Sequence, residues 1–479
     1  MKKILLRLKK LLGPSRLRQS PLSAPRAMCT NVTTDKPRAG FDNWVAGHPR
    51  DEHAEDPSHE SRLESLPPEV HRILLSTLRL NELRALVLSS PIIHERYLLD
   101  RRYLLCRSLE NTLGSVSVDA YAVFQSSSAE FAKSRTREVI SSSLTLYQDW
   151  RNAPQQAKLP KELTEQEAIS MIAFHSSIVN PLAKYYTTWA LNNLAGEDGG
   201  LQSHAPLSCT EQTRLMRALY RFQLSCNLFG SGHFAPTLRL QTLDIPKLFL
   251  CLFEPWEVEE IGCINTFAKE KYDQVFTDIH WDVHEENPRF DGRRPPTPEG
   301  AFDFDNSWVR RELLNGTVSR GLELLHSLIR KPRNHDELVS LMQSKISWPT
   351  GNTLDDAFGE TAQSLQRHRN ISARDRKQLQ REPLPFMGES DSLRSLPPLA
   401  WTVIWRGTYS NLFGHYVQDA IRRWGYVMWD AVRMERTNAK EVLQRQWKAD
   451  WRLGDPRDHL LQLHRMLLVH QHPGVTAHQ

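Results

Sequence analysis

No run of about 18 apolar residues occurs in the 479 residues, so no helix is expected to span a bilayer. Cysteine is sparse: Cys29, Cys106, Cys209, Cys226, Cys251 and Cys263 are widely spaced and include no C-x-x-C pair. That pattern speaks against a disulfide-stapled secreted scaffold and against a zinc ribbon, and predicts reduced thiols in an intracellular chain. Three further signatures are missing: the G-x-S-x-G elbow, the G-x-x-x-x-G-K-S/T phosphate loop and the G-x-G-x-x-G turn, and with them the common hydrolase, nucleotide and dinucleotide chemistries. Alternating strand runs and a βαβ rhythm are also lacking, which removes Rossmann-type and propeller modules.

Acidic residues are absent before Asp35, whereas the first 50 residues hold eleven Lys and Arg. This arm carries +9 against a net charge of +5, which leaves the remaining chain at −4. A phosphate-binding footprint is therefore confined to the arm, and no nucleic-acid partner is expected for the body. Within MKKILLRLKKLLG, Ile4, Leu5, Leu8, Leu11 and Leu12 share one side of a helical wheel. Three readings stay open: a mitochondrial transit peptide, a helix lying on an anionic membrane surface, and an unstructured tail. The expected location is cytoplasmic or nuclear, or mitochondrial if the transit reading holds. Residues 39–62 turn to Asp, Glu, His, Pro and Gly with little to bury, as in a linker, so 1–62 reads as a disordered basic arm and acidic linker.

Residues 65–91, SLPPEVHRILLSTLRLNELRALVLSSP, hold two short amphipathic patterns. Pro67 and Pro68 preset a first helical turn, with Glu69 near the positive end of the helix dipole. Val70, Ile73, Leu74 and Leu78 then recur at helical spacing. Asn81 is the expected N-cap of a second helix whose stripe is Leu83, Leu86 and Val87. Ser90-Pro91 opens a third, expected to run through Ile93, Tyr97, Leu98 and Leu104. Leu75, Leu80 and Leu88 are apolar residues beyond one stripe per helix, and so small a unit cannot hide them all. Surplus apolar surface of this kind meets another chain or domain.

The order L-P-x-E-I/V, an apolar pair, a break, then L-x-x-L and S/A-S resembles an F-box over residues 63–105. Ser90-Pro91-Ile92-Ile93 stands where many members carry a basic residue after the serine. The resemblance implies a three-helix unit docked on the linker subunit of a cullin–RING ubiquitin ligase, with the rest of the chain selecting a protein client. Carried over residue by residue, it implies linker contacts at Leu66, Pro67, Glu69, Val70, Ile73, Leu74, Leu78, Leu83 and Leu86.

From residue 106 the pattern is helical throughout, in windows 118–150, 163–195, 210–229, 245–277, 318–331, 335–346 and 398–451. SLPP recurs at Ser395–Pro398 without the glutamate, so no repeat is supported. The expected fold is all-α: a short F-box-like unit at 63–105, then one irregular multi-helix domain at 106–479.

In DIHWDVHEENPRFDG, His280 and His284 are four apart, as two ligands on one helix face would be, with Asp278, Asp282 and Glu285 beside them. Trp281 occupies the place where a zinc peptidase needs its glutamate, and Pro288 ends any helix, so neither a metal nor a cofactor is expected. The glycines at Gly230-Ser231-Gly232-His233 are read as a helix C-cap. Trp401, Trp405, Tyr409, Trp424 and Trp429 lie in an aromatic-rich stretch, Trp401, Trp405 and Tyr409 at a step of four. Two readings follow: an aromatic core, or a client groove of partly exposed rings. These readings favour a non-catalytic receptor subunit. The alternatives are an F-box-like interaction protein outside any ligase and, further off, a metal-dependent enzyme built on His280 and His284.

Overall fold

The computed structural model describes residues 63–152, 159, 163–198, 205–230, 244–292, 300–330, 334–360, 385–389, 396–405 and 417–449. The arm at 1–62 and the position of Tyr409 lie outside them. The fold is all-α: the described residues form no strand, and one isolated parallel bridge joins His284 to Phe302. No described helix is long and apolar enough to cross a membrane.

The chain divides into two compact units, residues 1–180 and 181–479. In the first, α1 (Pro68–Thr77), α2 (Leu80–Ser89), α3 (Pro91–Leu99) and α4 (Arg101–Leu113) follow one another closely, then α5 (Ser117–Ser126), α6 (Ala129–Lys133), α7 (Arg137–Arg151) and α8 (Glu165–Phe174). Pro68 is the first residue of α1 and Glu69 lies in its first turn, as the sequence predicts. Ser90 caps α3 by accepting the Ile93 N–H at 3.3 Å. The start of α2 differs. Arg79 is its N-cap and Asn81 already lies inside the helix, because Glu82 supplies the capping group and accepts the Arg79 N–H at 2.8 Å. The third helix also stops earlier than expected, at Leu99, and Leu104 belongs to α4.

That break explains the unit's packing. Helix α4 lies against α1, α2, α5 and α8, and its Leu104, Leu105 and Leu109 are almost fully buried. From α4, Asn111 donates to the carbonyls of Ser76 and Leu78 at 2.8 and 3.2 Å, satisfying the end of α1. Thr112 accepts the Leu80 N–H at 2.9 Å and so holds the start of α2. The limit expected at residue 105 thus falls in the middle of α4, and the compact unit extends to residue 180.

The second unit holds α9 (Asn180–Asp198), α10 (Cys209–Phe229), α11 (Pro255–Asp278), α12 (Ser307–Val318), α13 (Leu322–Arg330), α14 (His335–Gln343) and α15 (Leu354–Glu360). Four shorter helices close it: α16 (Leu399–Trp405), α17 (Asp419–Arg422), α18 (Ala431–Arg436) and α19 (Ala439–Ala449). Helix α11 is the axis, buried along most of its length and packed by α10, α12, α13 and α17. Ser208 caps α10 reciprocally with Glu211: the Glu211 N–H donates to Oγ at 3.1 Å, and Oε2 accepts the Ser208 N–H at 3.0 Å.

Candidate functional site

The residues that the sequence assigns to a partner divide sharply. On α1, Val70 is 40% and Ile73 66% exposed, Pro67 and Glu69 face solvent, and Leu66, Leu74 and Leu78 are half-buried. Leu86 on α2 is half-buried as well. Leu83 is 1% exposed and belongs to the unit's own core, together with Leu75 and Val87, which removes it from any contact surface. The surplus leucines part in the same way. Leu75 is internal, Leu80 half-buried and Leu88 61% exposed, and on α3 Leu98 and Leu99 add further apolar surface at 47% and 75%.

What holds this face is polar. His71, buried behind α1, lies with Nε2 2.7 Å from the Leu63 carbonyl, which ties the approach segment to the helix. The Ser90 hydroxyl donates to Glu64 and so links that segment to the start of α3. These bonds order the backbone around Leu66 and Pro67 while α1 turns Val70 and Ile73 outward.

The aromatic groove is overturned. Trp401, Trp405, Trp424 and Trp429 are all at most 2% exposed, packed inside the second unit. The Trp256 and Trp401 centroids are 6.2 Å apart, those of Trp401 and Trp405 5.7 Å, and Trp405 meets Trp447 edge-on at 4.8 Å. The Trp424 indole N–H donates to Gln446 Oε1 at 2.8 Å and that of Trp429 to the Trp424 carbonyl at 2.6 Å. Rings this large and this deeply buried, two of them with the indole donor satisfied internally, are core. Two tryptophans that the sequence reading passed over are exposed instead: Trp308 at the start of α12 and Trp348, with centroids 5.7 Å apart.

Beside the aromatics runs a buried ionic ladder. Glu257, Glu259 and Glu260 on α11 are all buried. Arg422 donates to Glu259 at 3.0 and 2.8 Å, and Arg217 donates to both oxygens of Glu260 and lies 3.1 Å from Glu257. Burial alone would lower Arg422; Glu259 overrides it and holds the guanidinium above its usual range. Arg433 closes a further pair on Glu211 of α10, at 2.7 and 2.8 Å. Within this ladder each carboxylate is matched by a guanidinium. Two thiols are buried as well: burial pushes Cys226 up to about 12 and Cys263 well above the ordinary thiol value.

His280 and His284 do converge, though not on a helix. Helix α11 ends at Asp278, and the pair flanks a tight turn, Trp281–Val283, with ring centroids 5.3 Å apart. The acid that joins them is none of those adjacent in sequence. Asp278 faces solvent and Asp282 receives His335 Nε2 at 2.8 Å. Asp305, just ahead of the α12 cap, places Oδ1 3.0 Å from His280 Nε2 and Oδ2 3.3 Å from His284 Nε2. No local spacing marks a carboxylate that far along the chain.

The chain matches no family model, no curated protein and no solved structure.

Proposed function

We propose that this chain is a non-catalytic substrate receptor of a cullin–RING ubiquitin ligase, docking the linker subunit through residues 63–105 and holding a protein client through the helices that follow. One observation supports it above the others: α1 faces its own unit's core with His71 and Leu75 and still carries the apolar Val70 and Ile73 on the side turned to solvent. An isolated unit gains from burying such side chains, about 1.5–3 kcal/mol each when complete. Their exposure beside Pro67 and Leu74 suits a surface that another chain covers. The mechanism is tethering: a client held near the ubiquitin-charged enzyme presents its lysines at raised effective concentration. With the C-terminal aromatics in the core, the exposed Trp308 and Trp348 pair becomes the client anchor of choice, since exposed tryptophan is typical of binding hot spots.

The test separates docking from folding. Ile73→Asp places a charge on a side chain that is two-thirds exposed, so the melting temperature should hold. Affinity for the purified linker subunit should fall by about 2 kcal/mol, roughly thirtyfold. Leu83→Asp, in the core, should unfold the first unit instead. A wild-type chain that does not bind the linker would sink this reading.

A further inference from the structure

We infer that His280, His284 and Asp305 form a binding site for a divalent first-row transition metal, with zinc as its natural occupant. The three side chains offer donor atoms that all lie within 4.8 Å of one another. His280 Nε2 lies 3.0 Å from one oxygen of Asp305 and His284 Nε2 3.3 Å from the other, so small side-chain rotations suffice to bring one carboxylate oxygen and both imidazoles to the about 2.0–2.1 Å bonds of a shared ion. Two imidazoles and one carboxylate suit zinc and leave a fourth position for water.

A second observation points to a ligand independently. His284 is 4% exposed, and its Nε2 has no aligned hydrogen-bond partner among the described residues although it faces the carboxylate. A buried ring nitrogen left in a long, misaligned contact with a carboxylate is uncommon, and an ion between the two would satisfy both.

Backbone hydrogen bonds bring the three donors together. The pair follows directly on the end of α11, where the Val283 N–H returns to the Ile279 carbonyl at 3.3 Å. The bridge between His284 and Phe302 carries Asp305 to the same place: Phe302 N–H donates to the Val283 carbonyl at 2.8 Å, and Phe304 stacks on Phe276 at 4.8 Å. Asp305 then precedes Asn306, the cap of α12. The Glu286 N–H donates to His284 Nδ1 at 3.2 Å, which puts the ring proton on Nε2 in the metal-free chain. Loading moves that proton to Nδ1 and opens the Glu286 bond. The ion is accordingly exchangeable, removed by a chelator and restored by dialysis, unlike the permanent ion of a closed structural site.

The experiment uses the full chain, purified without a histidine tag and stripped with chelator, titrated with zinc by calorimetry. One zinc per chain is expected, with a melting temperature raised by several degrees. His280→Ala at a half-buried position and Asp305→Asn at an exposed one should melt like the wild type in chelator and each bind zinc at least tenfold more weakly. Asp278→Asn, an acid nearby that is not a ligand, should bind like the wild type. Absence of stoichiometric zinc, or binding that survives both His280→Ala and Asp305→Asn, overturns the site.

Discussion

Single residues carry roles here that their type alone conceals. Gly316 sits inside α12, where alanine normally gains about 1 kcal/mol over glycine. A Cβ there would lie 2.1 Å from the Ser347 carbonyl oxygen and 2.5 Å from the backbone carbon of Trp348. Gly316→Ala should therefore destabilise the second unit by about 1–3 kcal/mol, read by urea unfolding. A stabilised variant would show that the segment at 347–349 is free to move. Gly230 makes the same point. It caps α10 as the sequence suggests, yet its backbone is extended, and the glycine is required because a Cβ would meet the Ser319 carbonyl oxygen at 2.1 Å. Arg422, paired through two bonds to Glu259 and buried, is a liability if its partner is left alone. Arg422→Met should cost about 3–5 kcal/mol by stranding a carboxylate, and adding Glu259→Met should recover much of it. Equal losses in the single and double variants would show that the pair contributes through packing alone.

At the scale of elements, the helical class was legible because apolar residues repeat every three or four positions from Val70 onward, with proline and serine marking starts. What periodicity could not supply was the breaks. The window 318–331 merges the end of α12 with α13, since Ser319, Arg320 and Gly321 interrupt the backbone and leave the apolar rhythm intact; Gly321 turns there at φ +89°. Likewise 398–451 reads as one helical stretch and is divided among α16, α17, α18 and α19. The aromatic step of four at Trp401 and Trp405 identifies a helix face correctly but says nothing of what that face meets, and here it meets Trp256 and Trp447. Asp305 was out of reach for a related reason. Its partners are 21 and 25 positions earlier, and the bridge at Phe302 that brings it back is tertiary. The exposed apolar side chains of α1 were easier to find, since Val70 and Ile73 lie three apart on one helix that Pro68 and Glu69 announce.

For the whole molecule, two compact units with separate cores mean that one stability value will not describe the chain. Apart from Trp150, every described tryptophan is in the second unit, so indole fluorescence reports mainly that half. The first unit carries a pH dependence of its own. Burial pushes His175 down to about 4 from 6.5, so the folded state stays neutral where the unfolded chain takes up a proton. This contribution is fully present above about pH 6.5 and lost as pH falls toward 4, about 3 kcal/mol in all. Unfolding followed by far-ultraviolet circular dichroism at pH 7 and pH 5 should show the loss, and His175→Leu should flatten it. A variant with undiminished pH dependence would assign the effect to other groups.

The three carboxylates of α11 also bear on how the second unit finds its arrangement. A helix buried on nearly every side presents apolar surface in all directions, so oily contact alone does not say how it should be rotated or how deep it should sit. Glu257, Glu259 and Glu260 act as the teeth of a key, and Arg217, Arg221 and Arg422 as the wards of its lock. A slip of one residue swings each carboxylate through about 100° and strands several charges at once. Exchange of the whole set for apolar residues of similar size should thus keep the helix inside while blurring its setting, seen as broadened or doubled resonances from α11 in nuclear magnetic resonance spectra.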